Sequence, residues 1–132
     1  MSVQENVKKL VALVERGRFI EALDEFYAEN ATMQENSGEF RTGLANIIEC
    51  ERQVMASFKE VHVSRADSFV VDGNRAAINW IFEYTGSDGQ RHRINEMAYQ
   101  LWQSGKIVQE RFYYDPAQRQ HVIEIPLAME AV

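Results

Sequence analysis

Cysteine is almost missing. Cys50 is the only one in 132 residues, which excludes an internal disulfide and any multi-cysteine zinc or iron–sulfur centre. Histidine is sparse too. His62, His92 and His121 stand about thirty residues apart, without the close spacing by which a helix or loop presents metal ligands. No metal and no other cofactor is expected. Two prolines and seven glycines are too few for a linker or low-complexity chain. No stretch approaches the roughly 18 apolar residues of a membrane span. The apolar run Leu10-Val11-Ala12-Leu13-Val14 sits behind Lys8 and Lys9 and is too short for a signal peptide. Basic charge is also short, with 14 Lys and Arg against 20 Asp and Glu and a formal charge of -6. That balance opposes binding a phosphate backbone, which needs clustered positive charge. Neither nucleic acid nor a membrane is expected as a partner, and a cytoplasmic location is the default.

What remains is an ordinary globular composition, 45% apolar, 26% charged and 11% aromatic, on a length that suits one domain. The expectation is a single domain over 1–132 with a short C-terminal extension after 116. Ser2 and Glu5 form an S-x-x-E capping box ahead of Val3, Val7, Leu10, Val11 and Val14 at helical spacing. This predicts a helix near 3–15, closed by Gly17. Phe19, Ile20, Leu23, Phe26 and Tyr27 predict a second helix over 19–28. A brief extended piece, Ala31–Glu35, leads into the turn-rich Asn36-Ser37-Gly38. A third helix is predicted over 43–58, with Leu44, Ile47, Ile48, Val54, Met55 and Phe58 as its inner stripe.

Beyond Phe58 the residues become β-branched and aromatic, and turn signals fall at Asp72-Gly73-Asn74, Gly86-Ser87-Asp88-Gly89 and Gln103-Ser104-Gly105. Four strands, 61–71, 76–85, 90–102 and 106–114, are predicted to form an antiparallel meander. The fold class is α+β, three helices on one face of a curled antiparallel sheet. A three-residue Gln103-Ser104-Gly105 loop sets Trp102 opposite Lys106. Glu96, Ala98, Gln100 and Trp102 then share a face with Val108, Glu110, Phe112 and Tyr114, and with Ile78, Trp80, Phe82 and Tyr84. Ala98 faces Glu110 in this register, and Glu96 lies diagonal to it. A one-residue slip would exchange the faces, and Asn79, Met97, Tyr99 and Arg111 would point inward instead.

This arrangement resembles the NTF2-like cone fold, and within it the SnoaL-like polyketide cyclase and ketosteroid isomerase relatives. The residues carrying the likeness are Phe26-Tyr27-Ala28-Glu29-Asn30-Ala31-Thr32-Met33, Gly43, and the stretch from Asn95-Glu96-Met97-Ala98-Tyr99-Gln100-Leu101-Trp102 through Gly105 to Glu110-Arg111-Phe112-Tyr113-Tyr114-Asp115-Pro116. The resemblance covers about residues 3–116. It implies a cone whose apolar pocket lies between sheet and helices and takes a small hydrophobic ligand. Trp80, Phe82, Tyr84, Trp102, Phe112 and Tyr114 suit its wall, and core packing is the other reading of each.

The resemblance also places a carboxylate, here Glu35, where the isomerases remove a proton next to a carbonyl; in an apolar pocket its pKa would rise. The alternative is a solvated loop residue beside Asn36. Glu96 and Glu110 offer a second pair, in which like charge at close range would separate an acid from a base. Their alternative is ion pairing of Glu96 with Arg111 or Arg93. Gln100 would orient a ligand carbonyl or satisfy a backbone group. Arg91-His92-Arg93 reads as a solvated rim, and Cys50 as an inert buried thiol. Two family features are missing. Leu10 and Val11 stand where the isomerases carry a helical tyrosine donor, and Met97 or Ala98 where they carry a protonated aspartate. Steroid isomerisation in its known form is not expected without such donors. Trp80, Phe82 and Phe112 replace the Asp-Arg-Asp set of epoxide-hydrolase relatives. Two functions stand side by side: cofactor-free acid–base isomerisation or cyclisation of a hydrophobic carbonyl compound, and a non-catalytic ligand-binding or dimeric assembly module. Ile81, Met97, Tyr99, Leu101 and Tyr113 on the outer sheet face point to a homodimer.

Overall fold

The structure is a computed structural model that describes residues 1–123. Residues 124–132, which include most of the expected C-terminal extension, lie outside the described residues. The helices are α1 (Val3–Glu15), α2 (Phe19–Phe26) and α3 (Leu44–Ala56). The strands are β1 (Tyr27–Glu35), β2 (Arg41–Thr42), β3 (Phe58–Asp72), β4 (Arg75–Gly86), β5 (Arg91–Gln103) and β6 (Lys106–Tyr113). A 3-10 turn, Pro116–Arg119, follows the last strand.

The Ser2 hydroxyl accepts from the Glu5 backbone N–H at 3.1 Å, so the predicted capping box does start α1. The Val7, Leu10, Val11 and Val14 face of α1 is buried. Two polar ties dock this helix on β3: Ser64 Oγ donates to the Val14 carbonyl at 2.8 Å, and Glu15 Oε2 accepts from the Ala66 N–H at 3.1 Å. The core then continues through Ala22, Leu23, Phe26, Ala31, Met33, Ile47, Ile78, Trp80, Ala98, Trp102 and Ile107.

The antiparallel expectation is corrected at one edge. The sheet is six-stranded and mixed, in the order β2-β1-β6-β5-β4-β3, because β1 runs parallel to β6, with Glu35 level with Phe112. Short-range pattern cannot reveal this pairing: the partners are separated by α3 and four strands. The pairing also explains why α2 stops at Phe26 rather than 28, since Tyr27 already belongs to a nine-residue strand. Likewise α3 stops at Ala56, because Phe58 opens β3. Strand β3 is fifteen residues long and shifts register against β4 at three places. Such irregularities bend and twist a strand, which curls this end of the sheet under the helices.

The β5–β6 hairpin is tighter than expected. Gln103 pairs with Lys106, leaving Ser104 and Gly105 as a two-residue loop, with φ of 52° and 78°. Positive φ at both positions is the signature of the hairpin turn whose twist matches the strands. A register shift between Leu101 and Trp102 follows, so that Gln100 faces Glu110 and Ala98 faces Phe112. The expected pairing was displaced by two residues, an even number, so every side chain keeps its predicted face. The displacement does separate Glu96 from Glu110. They are four strand positions apart, roughly 13 Å of strand rise, rather than diagonal neighbours.

Candidate functional site

Between the concave face of the sheet and the three helices lies a cavity of about 160 Å³. That space is comparable to apolar cavities that hold a benzene-sized ring, and it opens to solvent at one end. Leu10, Phe19, Leu23, Met33, Val54, Trp80, Phe82 and Phe112 supply apolar wall, and Tyr84 lines it as well. Trp80 and Phe82 stack at 5.8 Å with 21° between their planes, and Phe19 meets Phe82 edge-on at 6.1 Å. Two aromatics from the expected wall sit elsewhere. Trp102 is buried in the core, edge-on to Phe26 at 6.0 Å. Tyr114 stands outside the lining and donates its hydroxyl to Glu35 Oε1 at 3.1 Å.

Glu35, Glu96, Gln100 and Glu110 all reach the cavity, together with Tyr27, Arg41, Glu51 and Arg119. They fall into three groups. The first is at the mouth. Glu35 is not the isolated carboxylate expected in an apolar pocket: Arg41 Nη2 donates to Oε2 at 2.8 Å, and Arg119 Nη2 approaches Oε1 at 3.4 Å. Arg119 reaches it from the 3-10 turn. That turn is capped by Asp115 Oδ1 accepting from the Ala117 N–H at 3.0 Å. The Gln118 side chain then ties the turn to β5, accepting from the Asn95 N–H and donating to its carbonyl.

The second group is a fully bonded chain. The Trp102 indole N–H donates to Gln100 Oε1 at 3.0 Å, and Gln100 Nε2 donates to Glu110 Oε2 at 2.7 Å. The Tyr27 hydroxyl donates to the other oxygen, Glu110 Oε1. Burial pushes the Glu110 carboxyl up to about 7; the Tyr27 and Gln100 hydrogen bonds pull back, and the Glu51 charge adds to the rise. Burial likewise holds the Tyr27 phenol well above its ordinary range, which keeps it a donor.

The third is Glu96 alone. Among the described residues its carboxyl has neither a hydrogen-bond partner nor an ion pair. The basic residues near its strand are engaged elsewhere: Arg91 and Arg93 pair with Glu83, and Arg111 donates to the Asn36 carbonyl at 2.7 Å. Burial raises the Glu96 carboxyl to about 8, and the charges of Glu110 and Glu35 add to the shift. No close acid–base pair forms, because the register keeps Glu96 and Glu110 apart; desolvation is the larger cause for each. A carboxyl that holds its proton to about 8 in an apolar cavity can donate or accept one near neutral pH.

The expected solvated rim at Arg91-His92-Arg93 is corrected at its centre. His92 is 3% exposed and stacks on Tyr84; its ring bonds Asp88 Oδ2 and the His121 carbonyl, each at 2.9 Å. Cys50 is half-buried on α3. Among the described residues no cluster of His, Cys, Asp or Glu has the geometry of a metal site. Among the same residues no helix is long and apolar enough to cross a membrane.

Sequence reasoning missed Tyr27, Arg41, Glu51 and Arg119. For Glu51 a signal existed. It falls on the apolar stripe Leu44-Ile47-Ile48-Val54-Met55 of α3, and a charge on an inner stripe marks either a cavity or a buried pair. Burial raises its carboxyl, while Arg41 holds it back. Tyr27 shares the inward alternation of Met33 and Glu35, which becomes visible only if the strand starts at 27.

A curled sheet closed over by helices, with carboxyls spread along an apolar cavity, defines a cone-fold domain with an internal ionisable site. The chain belongs to the SnoaL-like domain family, whose sequence model matches residues 1–114. No curated protein matches the sequence. Among solved structures it is similar to a protein described as a SnoaL-like polyketide cyclase from Mesorhizobium loti, at 24% identity and TM-score 0.79, covering 86% of this chain and 100% of that one. It is also similar to a ketosteroid isomerase-like fold from Catenulispora acidiphila in complex with trimethylamine, at 17% identity and TM-score 0.73, covering 89% and 90%. A third is TerC, co-crystallised with polyporic acid, at 17% identity and TM-score 0.76, covering 92% and 97%. At these identities the likeness establishes the fold. Arg119 lies beyond the matched residues.

Proposed function

We propose that this protein binds a small hydrophobic carbonyl compound in the cone and moves a proton on it, as a cofactor-free isomerase or cyclase. The observation that carries the reading is Glu96, an unpartnered carboxyl in an apolar cavity whose proton is held to about 8. As a carboxylate it takes a proton from the carbon next to the carbonyl: the C–H bond breaks, an O–H bond forms on Glu96, and the electron pair moves onto the carbonyl oxygen. Returning the proton to a different carbon isomerises the ligand; alternatively the enolate carbon attacks a second carbonyl and closes a ring, the π pair of that carbonyl moves onto its oxygen, and this oxygen takes the proton back from Glu96. The ligands of two neighbours, trimethylamine and polyporic acid, support a small-molecule role for the fold.

Glu110 stands at the floor and Glu35 at the mouth, the latter as an ion-paired gate residue rather than the base. That pairing favours a second reading, a binding domain without turnover, because the family's catalytic position is occupied by a carboxylate already engaged with Arg41 and Arg119. We further propose one domain over 1–132 in a reducing cytoplasm. It would pair as a homodimer through Met97, Tyr99 and Tyr113, each more than 40% exposed on the outer face; Ile81, expected there, is buried within its own chain.

The test is hydrogen exchange at carbon. 1-Tetralone, an apolar ketone with acidic α-hydrogens, is incubated with protein in deuterated buffer and followed by NMR. Deuterium incorporation faster than buffer that vanishes in Glu96→Gln supports proton transfer. Binding without exchange at any pH from 6 to 9 supports the second reading and overturns the first.

A further inference from the structure

The chain from Trp102 to Tyr27 contains a constraint on hydrogen positions. An indole N–H can only donate. Trp102 therefore fixes Gln100 with Oε1 toward itself and Nε2 toward Glu110, and the amide cannot turn over without leaving two donors opposed. Glu110 Oε2 is consequently always an acceptor. When Glu110 is ionised its other oxygen, Oε1, accepts from the Tyr27 hydroxyl. When Glu110 is protonated, the proton has one place to go, Oε1, because Oε2 faces the Gln100 donor. Oε1–H then donates to the Tyr27 oxygen, and the tyrosine must turn its own hydrogen away from Glu110. Tyr27 lines the cavity, and its hydroxyl has no other acceptor among the described residues.

We propose that Tyr27 is the hydrogen-bond donor to a ligand oxygen in the cavity, and that the proton on Glu110 decides whether its hydroxyl is free to serve. This deepens the carbonyl reading above and rests on it. It also supplies the oxygen-stabilising donor missing from α1, where Leu10 faces the cavity instead. The groups facing Glu110 are Tyr27 from β1, Gln100 from β5 and Glu51 from α3, with the Glu96 charge four positions further along β5. Gln100 and Tyr27 favour the carboxylate, whereas burial and the Glu51 charge favour the acid. Both states are therefore reached around neutral pH. Donation to ligand grows as pH falls through about 7, while Glu96 becomes a base as pH rises through about 8. Exchange at carbon should accordingly peak between these values.

Replacement of Glu110 by Gln imitates the protonated state permanently. The new amide oxygen accepts from Gln100, its N–H donates to Tyr27, and the tyrosine proton stays free. The probes are 2-acetylnaphthalene, a neutral ketone without a titrating group, and 2-ethylnaphthalene, which lacks the acceptor; binding is followed by fluorescence. The wild type should bind the ketone about five- to tenfold more tightly at pH 6 than at pH 9, the worth of one hydrogen bond. Glu110→Gln should bind it tightly at both pH values. Tyr27→Phe should bind it weakly at both, alone or combined with Glu110→Gln; 2-ethylnaphthalene reports what ionisation of Glu96 alone does to the cavity between pH 6 and 9, is the baseline for every ketone ratio, and should not depend on Tyr27 or Glu110. A Tyr27→Phe loss equal at pH 6 and pH 9, or weakened ketone binding in Glu110→Gln, overturns the proposal.

A ligand-free arm uses the 13Cζ resonance of Tyr27. It should titrate with the Glu110 midpoint in the wild type and stay flat in Glu110→Gln; a flat wild-type resonance overturns the hydroxyl reversal. Should neither naphthalene bind, the carbonyl reading of the cavity fails, while the 13Cζ titration still decides the reversal.

Discussion

Replacing Glu96 by Gln should stabilise the protein, and by an amount that grows with pH. The unfolded chain releases the Glu96 proton near the ordinary value of 4.5, whereas the folded chain keeps it to about 8. Below 4.5 both states are protonated and the buried carboxyl is neutral. As pH rises from there the folded state binds the extra proton, so stability falls progressively until the folded group ionises near 8. The full loss corresponds to roughly 5 kcal/mol, about 3 of it developed by pH 7; relaxation and water entry make these upper values. The substituted amide has nearly the same shape as the carboxyl and no charge, so the variant escapes the loss. Urea unfolding followed by tryptophan fluorescence at pH 4.5, 7 and 9 reads the difference directly. The expected gap between variant and wild type is near zero at the lowest pH and at least about 2 kcal/mol at the highest. A gap that is constant with pH, or a variant that loses stability as pH rises, would rule out a buried Glu96 proton held to about 8.

Trp102→Phe keeps the ring in the core but removes the indole N–H from Gln100. The buried amide oxygen is left unpaired, and the variant should lose about 1–3 kcal/mol in denaturant titration. Glu35→Gln removes two partly exposed ion pairs and should cost about 1 kcal/mol or less; α-hydrogen exchange on 1-tetralone should survive within threefold, roughly 0.7 kcal/mol of barrier. Loss of exchange in this variant would return the base to Glu35. Sedimentation at tens of micromolar, a concentration that populates a dimer of ordinary affinity, should show a dimer for the wild type and a monomer for Tyr113→Glu, which puts a charge into the outer face.

Much of the fold was legible in local pattern. The capping box, the inner stripes of α1 and α3 and the turn clusters between strands each act over a few residues, where propensity and periodicity are strong. The parallel β1–β6 pairing was not legible, because it joins segments about eighty residues apart whose only local signature is a start at Tyr27 instead of Ala31. Glu96, Gln100 and Glu110 face the cavity as the alternation predicts, although the loop is one residue shorter than expected. A loop one residue shorter and a one-residue irregularity together moved the pairing by an even step. The chemistry around each carboxyl was less legible. Glu35 lost its apolar setting to Arg41 and Arg119, the second of which comes from a turn with no pattern of its own. Glu96 kept such a setting because Arg91, Arg93 and Arg111 are held by other partners.

The chemistry rests on two carboxyls in one cavity that keep their protons near neutral pH. Carboxyl 13C NMR of protein labelled at glutamate Cδ, assigned with Glu96→Gln and Glu110→Gln, reads both titrations. Midpoints of about 8 for Glu96 and about 7 for Glu110 are predicted. Midpoints for both groups near the ordinary 4.5 would mean that water or an unseen partner solvates the carboxyls and that neither exchanges a proton near neutral pH.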